Sequence, residues 1–453
     1  MEVGKDCPKL RNIDAFPAEV SGQRVICLRD PLNLSGKMLF VPVSTFFLIS
    51  LLDGRHSIQD IQAEFMRRYG ELVYSEKIQE VVDHLDTNFV LESGRFWEKD
   101  RRIREDFKKS PIRSMVLAGE SYAGDPLRLQ EDIRGYFREP EGPGDPLENG
   151  SKARLAGIIA PHIDYRRGGH CYAYAHKVIC ESAGADLFLI LGTAHAPTKM
   201  PFALTRKHFE TPWGIVETDQ TFLENFEKEC PLNFYEDEFI HKTEHSIELQ
   251  LVFLQALRPK EKPFRIVPIL CGSFHEAITG DLSPLDLRGV REFLQALRKA
   301  KAASSGEICV LASADLAHVG IRFGDPEPPD PMTLQVLADE DRCMLEPVRR
   351  MDGEGFFDFL RREKDRRKIC GSSAIYTLMH LIEAWGGELL KYDQSVEANS
   401  QSVVTFASMA FYGPKIKGKR KGKGTVGRDL EEESRLSNDI PKEEENERKL
   451  LFQ

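Results

Sequence analysis

The segment DLFLILGTAHAPT, residues 186–198, decides the fold. Leu187 to Leu191 form an unbroken apolar run, the pattern of a strand buried on both faces of a sheet. Gly192 reads as a tight turn and Thr193 and Ala194 as a small bend, so His195 stands at the strand's tip. A core strand does not need an imidazole in that position, whereas a site does.

Similar apolar runs recur in LAGIIAP (155–161), FRIVPIL (264–270), EICVLAS (307–313) and VVTFASMAF (403–411). Helical patterns such as EHSIELQLVFLQAL (244–257) and PLDLRGVREFLQALRKA (284–300) lie between them. Strands alternating with helices predict an α/β domain over 111–413, a mostly parallel sheet flanked by helices. Upstream, over 1–100, Ser57 is placed to cap a helix carrying Ile58, Ile61 and Phe65. Ser75 is placed to cap a second, carrying Ile78, Val82, Leu85 and Phe89. NFVLESGRFW (88–97) predicts a hairpin turning at Gly94, and with the two helices a small winged-helix-like domain. A charged connector, EKDRRIREDFKKS (98–110), follows. From 414 to 453 a basic block, KIKGKRKGKG, is followed by acidic ones with no apolar face, which predicts a disordered charged tail.

The formal net charge of −10 disfavours nucleic-acid binding by the molecule as a whole. LFVPVSTFFLISLL (39–52) is too short to span a bilayer, and the first residues lack the apolar stretch of a secretory signal. Nine scattered cysteines without a CxxC pair read as reduced thiols. Together these predict a soluble cytoplasmic protein. GxGxxG, Walker A and GxSxG sequences are all absent, which weakens nucleotide-binding and α/β-hydrolase readings.

His162 follows the strand at 155–161, His195 the strand at 186–192, and His318 the strand at 307–313. Ligands of open α/β sheets bind outside the carboxyl ends of the strands, so these three imidazoles converge on one edge. In CGSSAIYTLM (370–379), Cys370 stands at the start of a helix running to about Trp385, where the helix dipole favours a thiolate. In HKTEHSIELQ (241–250), Glu244 and Glu248 share a helical face, and the sequence is not the HExxH of a zinc protease. Asp315, three residues before His318, is placed to orient a histidine. His275, in GSFHEA, reads as structural.

Taken in order, APHIDYRRGG, LGTAHAP, EHSIELQLVFLQ, SADLAHVGIRFG, ICGSSAIYTLM and YDQSVEANSQSVVTFASMAFYG resemble the successive motifs of the MEMO family, also called AmmeMemoRadiSam system protein B. MVLAGESYAGDPLRLQEDIRGYF (115–137) resembles the opening of that domain, which places EPEGPGDPLENG (139–150) in a loop inside it; DPEPPDP (325–331) is a second loop. The resemblance implies a fold like the LigB-class extradiol dioxygenases. It also implies one non-haem iron or copper ion on His162, His195 and Cys370, with His245, His318 and Asp315 flanking it. The LigB class uses two His and a Glu; a softer, more oxidisable thiolate in the third place means that ring cleavage is not inherited with the fold.

LLDGRHSIQDIQAEFMRRYG (51–70) and the elements after it resemble the PqqD-like winged-helix module, whose relatives present peptides to radical enzymes. The chain itself has no CxxxCxxC cluster, so a radical-SAM protein is expected as a partner. Two functions follow. One is a metal-dependent oxidoreductase of unknown small-molecule substrate, in which His245 and His318 serve as acid/base groups and Asp315 sets a tautomer. The other is a non-catalytic adaptor that recognises a peptide or protein client through residues 1–100.

Overall fold

In a computed structural model the described residues are 7–30, 34–147, 154–182, 184–258, 262–280 and 282–414. The predicted tail, from Lys415 onward, lies outside them.

The N-terminal part begins with an antiparallel three-stranded sheet, β1 (Asp14–Val20), β2 (Gln23–Arg29) and β3 (Leu39–Pro42). Four helices follow: α1 (Val43–Ser50), α2 (Ile58–Tyr69), α3 (Ser75–Thr87) and α4 (Gly94–Lys109). Ser57 caps α2 as expected, in a reciprocal capping box with Asp60. Ser75 does not cap α3; it is the first helical residue, and its hydroxyl donates to Gln62 Oε1 at 3.2 Å, tying α3 to α2.

The hairpin expected at 88–97 is not there. Ser93 accepts the amide of Phe96 and starts α4, which absorbs both the hairpin and the charged connector. The Ser-Gly pair that reads as a turn is a helix cap, and the helix is held by its buried residues Phe96, Asp100 and Phe107. The antiparallel strands of this region lie upstream, at 14–42.

The large sheet is assembled from β4 (Ile112–Arg113), α5 (Pro126–Arg138), β5 (Arg154–Ala160), α6 (Tyr165–Glu181), β6 (Leu187–Thr193), β7 (Phe202–Leu204), β8 (His208–Thr211), β9 (Gly214–Thr218) and α7 (Gln220–Glu229). It continues with α8 (Ser246–Leu257), β10 (Arg265–Cys271), α9 (His275–Thr279), α10 (Val290–Ala303), β11 (Ile308–Ser313), β12 (Asp315–Gly320), α11 (Pro331–Arg349), α12 (Gly353–Glu363), α13 (Ser372–Leu381), β13 (Gly386–Glu397) and β14 (Ser402–Gly413). The strand order is β12-β14-β5-β11-β6-β10-β9-β8-β4, with β13 beside β14 and β7 beside β10.

The middle of the sheet, β5, β11, β6 and β10, is parallel. The run at 403–411 joins it antiparallel, as β14 against β5. The short strands β7 to β9 and the long β13 carry no continuous apolar run, and the alternation of sequence patterns did not show them. The described part of the loop at 139–150 packs on α6, where Lys177 Nζ donates to the carbonyls of Pro143, Gly144 and Asp145.

Every residue of β6 is buried. Leu187, Leu189 and Leu191 face one core with α7, α10 and α13, while Phe188 and Ile190 face another with α6 and α8. Truncating such a residue, Leu189→Ala for example, is expected to cost about 2–5 kcal/mol.

Gly192 is not a turn: β6 runs straight through it to Thr193. A Cβ at Gly192 would lie 2.7 Å from both Ser246 Oγ and Ile247 Cγ1, so glycine is what lets the first turn of α8 close on the strand. Gly192→Ala is expected to destabilise the protein by about 1–3 kcal/mol, read from its urea midpoint, because the strand or α8 must give way. No helix among the described residues is long and apolar enough to cross a membrane.

Candidate metal centre

The tips of β5, β11 and β6 are neighbours because β11 lies between the other two. Their backbones are laced to α8. Gln250 Nε2 donates to Pro161 O at 2.6 Å and to Ser313 Oγ at 2.8 Å. Ser313 Oγ donates to Ser246 O, and Ser246 Oγ donates to Thr193 O. The rigid floor this makes delivers His162 two residues past β5 and His195 two residues past β6.

His245 arrives from the residue before α8. One ligating atom from each of His162, His195 and His245 lies within 4.8 Å of the others, a spacing a single ion can bridge. The rings of His195 and His245 stack at 4.7 Å, and His162 stands edge-on to His195 at 5.0 Å.

His162 and His195 are hydrogen-bonded through Nδ1, and His245 Nδ1 lies beside the same carboxylate as His195. His162 Nδ1 lies 2.9 Å from Ser313 O, which can only accept, so Nδ1 carries the proton and Nε2 keeps its lone pair. His195 Nδ1 lies 3.1 Å from both oxygens of Glu244, and His245 Nδ1 lies 3.1 Å from Glu244 Oε1. One buried carboxylate therefore sits beside the Nδ1 atoms of two imidazoles, and among the described residues their Nε2 atoms have no hydrogen-bond partner, the arrangement that metal-ligating histidines use. The same carboxylate accepts the backbone amides of His195, His245 and Ser246.

Burial would raise the Glu244 pKa, but the charges of His195 and His245 and these hydrogen bonds hold it well below the ordinary carboxylate range. Burial lowers His162 to about 3 and His245 to about 4, so both rings stay neutral, the form that ligates metal. At His195 burial is outweighed by the Glu244 charge and hydrogen bond, and its pKa rises.

Cys370 Sγ lies 3.3 Å from His162 Nε2, beside the three-histidine group. Its thiolate is not favoured as the helix-start position suggested. Burial, and then the charge of Asp315, push the thiol well above its usual pKa, and α13 begins only at Ser372. Gly371 explains how Cys370 comes so close: its amide donates to Asp315 O, and a Cβ there would meet Ala314 Cβ at 2.4 Å.

Asp315 does not set a histidine tautomer. Its Oδ1 accepts the amides of His162 at 2.8 Å and Ile163 at 3.3 Å, and the nearest imidazole nitrogen, His162 Nε2, is 3.7 Å from Oδ2. It shapes the loop that carries His162, while the tautomers are held by Ser313 and Glu244. His318 is not at a strand tip; it lies inside β12, paired with Val404 of β14, and its Nδ1 is 3.1 Å from Leu316 O. Burial lowers it to about 4. His275 is exposed and 3.6 Å from Asp365, away from the cluster.

Glu244, beside two of the three rings, is the residue of the cluster that sequence pattern does not mark. Its only local signal is that it directly precedes His245. Glu248, expected beside it on one helical face, turns instead to Arg113, with which it forms a fully buried ion pair.

Two further buried histidines set a pH limit on the fold. His176 Nε2 is 3.1 Å from Gln250 Oε1, and His241 Nε2 is 3.1 Å from Ala203 O. Burial lowers them to about 4 and about 3. As pH falls below about 6.5 the unfolded chain takes up protons that these native rings refuse, so stability is lost between about 6.5 and about 4. The metal-free protein is expected to melt at progressively lower temperature from about pH 7 to about pH 5, with up to about 1.4 kcal/mol lost per group per pH unit. A flat profile would contradict the neutral burial of these rings.

The family profile described as "Memo-like protein" matches residues 113–410. It opens at Arg113, the buried partner of Glu248, and takes in every residue of the histidine cluster. The chain is 29% identical over 408 residues to a MEMO1 family protein of Aquifex aeolicus, covering 89% of this chain and 100% of the relative. It is 31% identical over 306 residues to MEMO1 family protein MK0963 of Methanopyrus kandleri, covering 66% and 98%. With MEMO1 family protein TTHA0924 of Thermus thermophilus it shares 26% identity over 357 residues, covering 78% and 98%. The matched span covers more than half of the chain, and the chain belongs to the Memo-like protein family.

Proposed function

We propose that this protein holds one transition-metal ion, iron or copper, at the β5–β11–β6 edge and uses it in redox chemistry on a small molecule. The observation that carries this reading is the Glu244 carboxylate shared by His195 and His245, with His162 held by Ser313. These contacts hold three imidazoles with one ligating atom of each close to the others. The donor set fits the metal: imidazoles with a thiol alongside suit a transition ion, and would not select calcium or magnesium.

His162, His195 and His245 would hold the ion, with the Cys370 sulfur as a further donor once its proton is displaced. When bound, the metal would supply one-electron chemistry. The chain's own residues orient the rings through Glu244 and Ser313 and exclude water behind His162, which is 2% exposed. His195 and His245 are part-exposed and leave the outer side open to a substrate. Kinship to extradiol dioxygenases and cooperation with a radical-SAM partner belong to this proposal as well.

The test is anaerobic purification followed by elemental analysis of the wild type and of His162→Ala, His195→Ala, His245→Ala and Cys370→Ala. A single transition-metal ion per chain in the wild type, lost in the histidine variants, is the expected result. Equal metal in the wild type and all four variants would remove the site. Retention in Cys370→Ala alone would leave a three-histidine centre with the thiol outside it.

A further inference from the structure

The carbonyl that precedes His162 is gripped by a side chain from another element. Pro161 O accepts from Gln250 Nε2 on α8 at 2.6 Å, and the amide of the next residue, His162, donates to Asp315 Oδ1 at 2.8 Å. The peptide plane between Pro161 and His162 is therefore clamped at both edges by buried side chains. Gln250 Nε2 also donates to Ser313 Oγ at 2.8 Å. The carbonyl of the same Ser313 receives His162 Nδ1 at 2.9 Å and the Thr193 hydroxyl at 3.1 Å. One amide group thus touches both the backbone that delivers His162 and the residue that holds its ring.

The orientation of that amide follows from its neighbours. Pro161 O can only accept, so the nitrogen of the Gln250 amide faces it and the oxygen faces the other way. There Gln250 Oε1 meets His176 Nε2 of α6 at 3.1 Å, and a carbonyl oxygen requires that this nitrogen carry a proton. His176 is fully buried, its ring 4.9 Å from that of Phe253 on α8, and its Nδ1 has no hydrogen-bond partner among the described residues. A buried imidazole with one nitrogen unpaired is costly, and an apolar ring would fill the same place without that cost. What the imidazole supplies, and an apolar ring would not, is the donor that keeps the Gln250 amide from turning over.

We propose that Gln250 is a positioning residue for the metal centre, and that His176 is the lock that keeps its amide turned toward Pro161 and Ser313. The pair acts on His162, whereas His195 and His245 lie beside Glu244. This rests on the metal-site reading and adds to it two residues, on α6 and α8, that set the direction of one ligand from behind the sheet edge.

The test binds cobalt(II) alone to the full-length wild type, Gln250→Met and His176→Phe, anaerobically and against a chelator of known affinity. On the metal-free proteins, nitrogen-15 spectra of labelled histidines report which ring nitrogen carries the proton, and urea midpoints report folding. Gln250→Met keeps the length of the side chain and removes its donors. It is expected to weaken cobalt binding about tenfold or more. It is also expected to move the His162 proton away from Nδ1 while the His195 and His245 spectra stay as they are. His176→Phe keeps a ring in place and removes only the lock, so it tests the proposal even where Gln250→Met folds poorly; the same changes are expected, smaller in size. Unchanged cobalt affinity in both variants overturns the proposal. So does an equal spectral change at all three histidines, which would mean a general loosening of the floor. If the metal reading alone fails, the wild type takes up no cobalt, and a spectral change confined to His162 still supports the clamp, while an unchanged His162 spectrum overturns it.

Discussion

Arg113→Met is expected to cost about 3–5 kcal/mol of folding stability, the penalty for leaving a buried charge without its partner. Arg113 and Glu248 are both fully buried, and the Arg113 Nη1 atom is in direct contact with Glu248 Oε2. The guanidinium also donates to the carbonyls of His241 at 2.9 Å and Glu244 at 2.7 Å. The carboxylate also accepts the amides of Val116 and Leu117 and the hydroxyl of Tyr122.

Removing the arginine therefore strips two carbonyls and one carboxylate at once. The double variant Arg113→Met with Glu248→Leu is expected to recover part of the loss, because the orphaned charge goes too. Urea unfolding of the two single variants and the double variant checks this. A loss under about 1 kcal/mol for Arg113→Met would mean that the backbone amides alone satisfy Glu248. Because Arg113 grips the segment just before His245, the same variant is expected to bind metal more weakly.

Glu244→Ala is expected to lower metal affinity by about 10–100-fold, the usual cost of losing the group that orients ligating histidines. The effect reaches two ligands, since both His195 and His245 turn their Nδ1 atoms to this one carboxylate. Glu244→Gln keeps an acceptor oxygen but not the charge, and is expected to fall between the wild type and alanine. Competition against a chelator of known affinity, under anaerobic conditions, measures all three. Unchanged affinity in Glu244→Ala would show that packing alone holds the two rings, and would detach Glu244 from the centre.

How much of this was legible beforehand depended on the range of the interaction. Strands buried on both faces must be apolar throughout, so β5, β6, β10, β11 and β14 stand out as continuous runs. The histidines at 162 and 195 were visible because a polar ring directly follows such a run. Short, half-exposed β8 and β9 lack that signature, and Ser93-Gly94 carried the chemistry of a turn until the buried face of α4 overrode it.

Short-range pattern and ordered motifs suffice for the alternation of strands and helices, the carboxyl-end placement of His162 and His195, and membership of the family. That β11 separates β5 from β6, and that Glu244 lies beside both His195 and His245, emerges with the folded chain. So does the finding that Ser313 rather than Asp315 holds His162, and that Arg113 closes on Glu248 across 135 positions of chain. Strand order and buried polar pairs join residues far apart in the chain, and such contacts leave no period in the sequence to read.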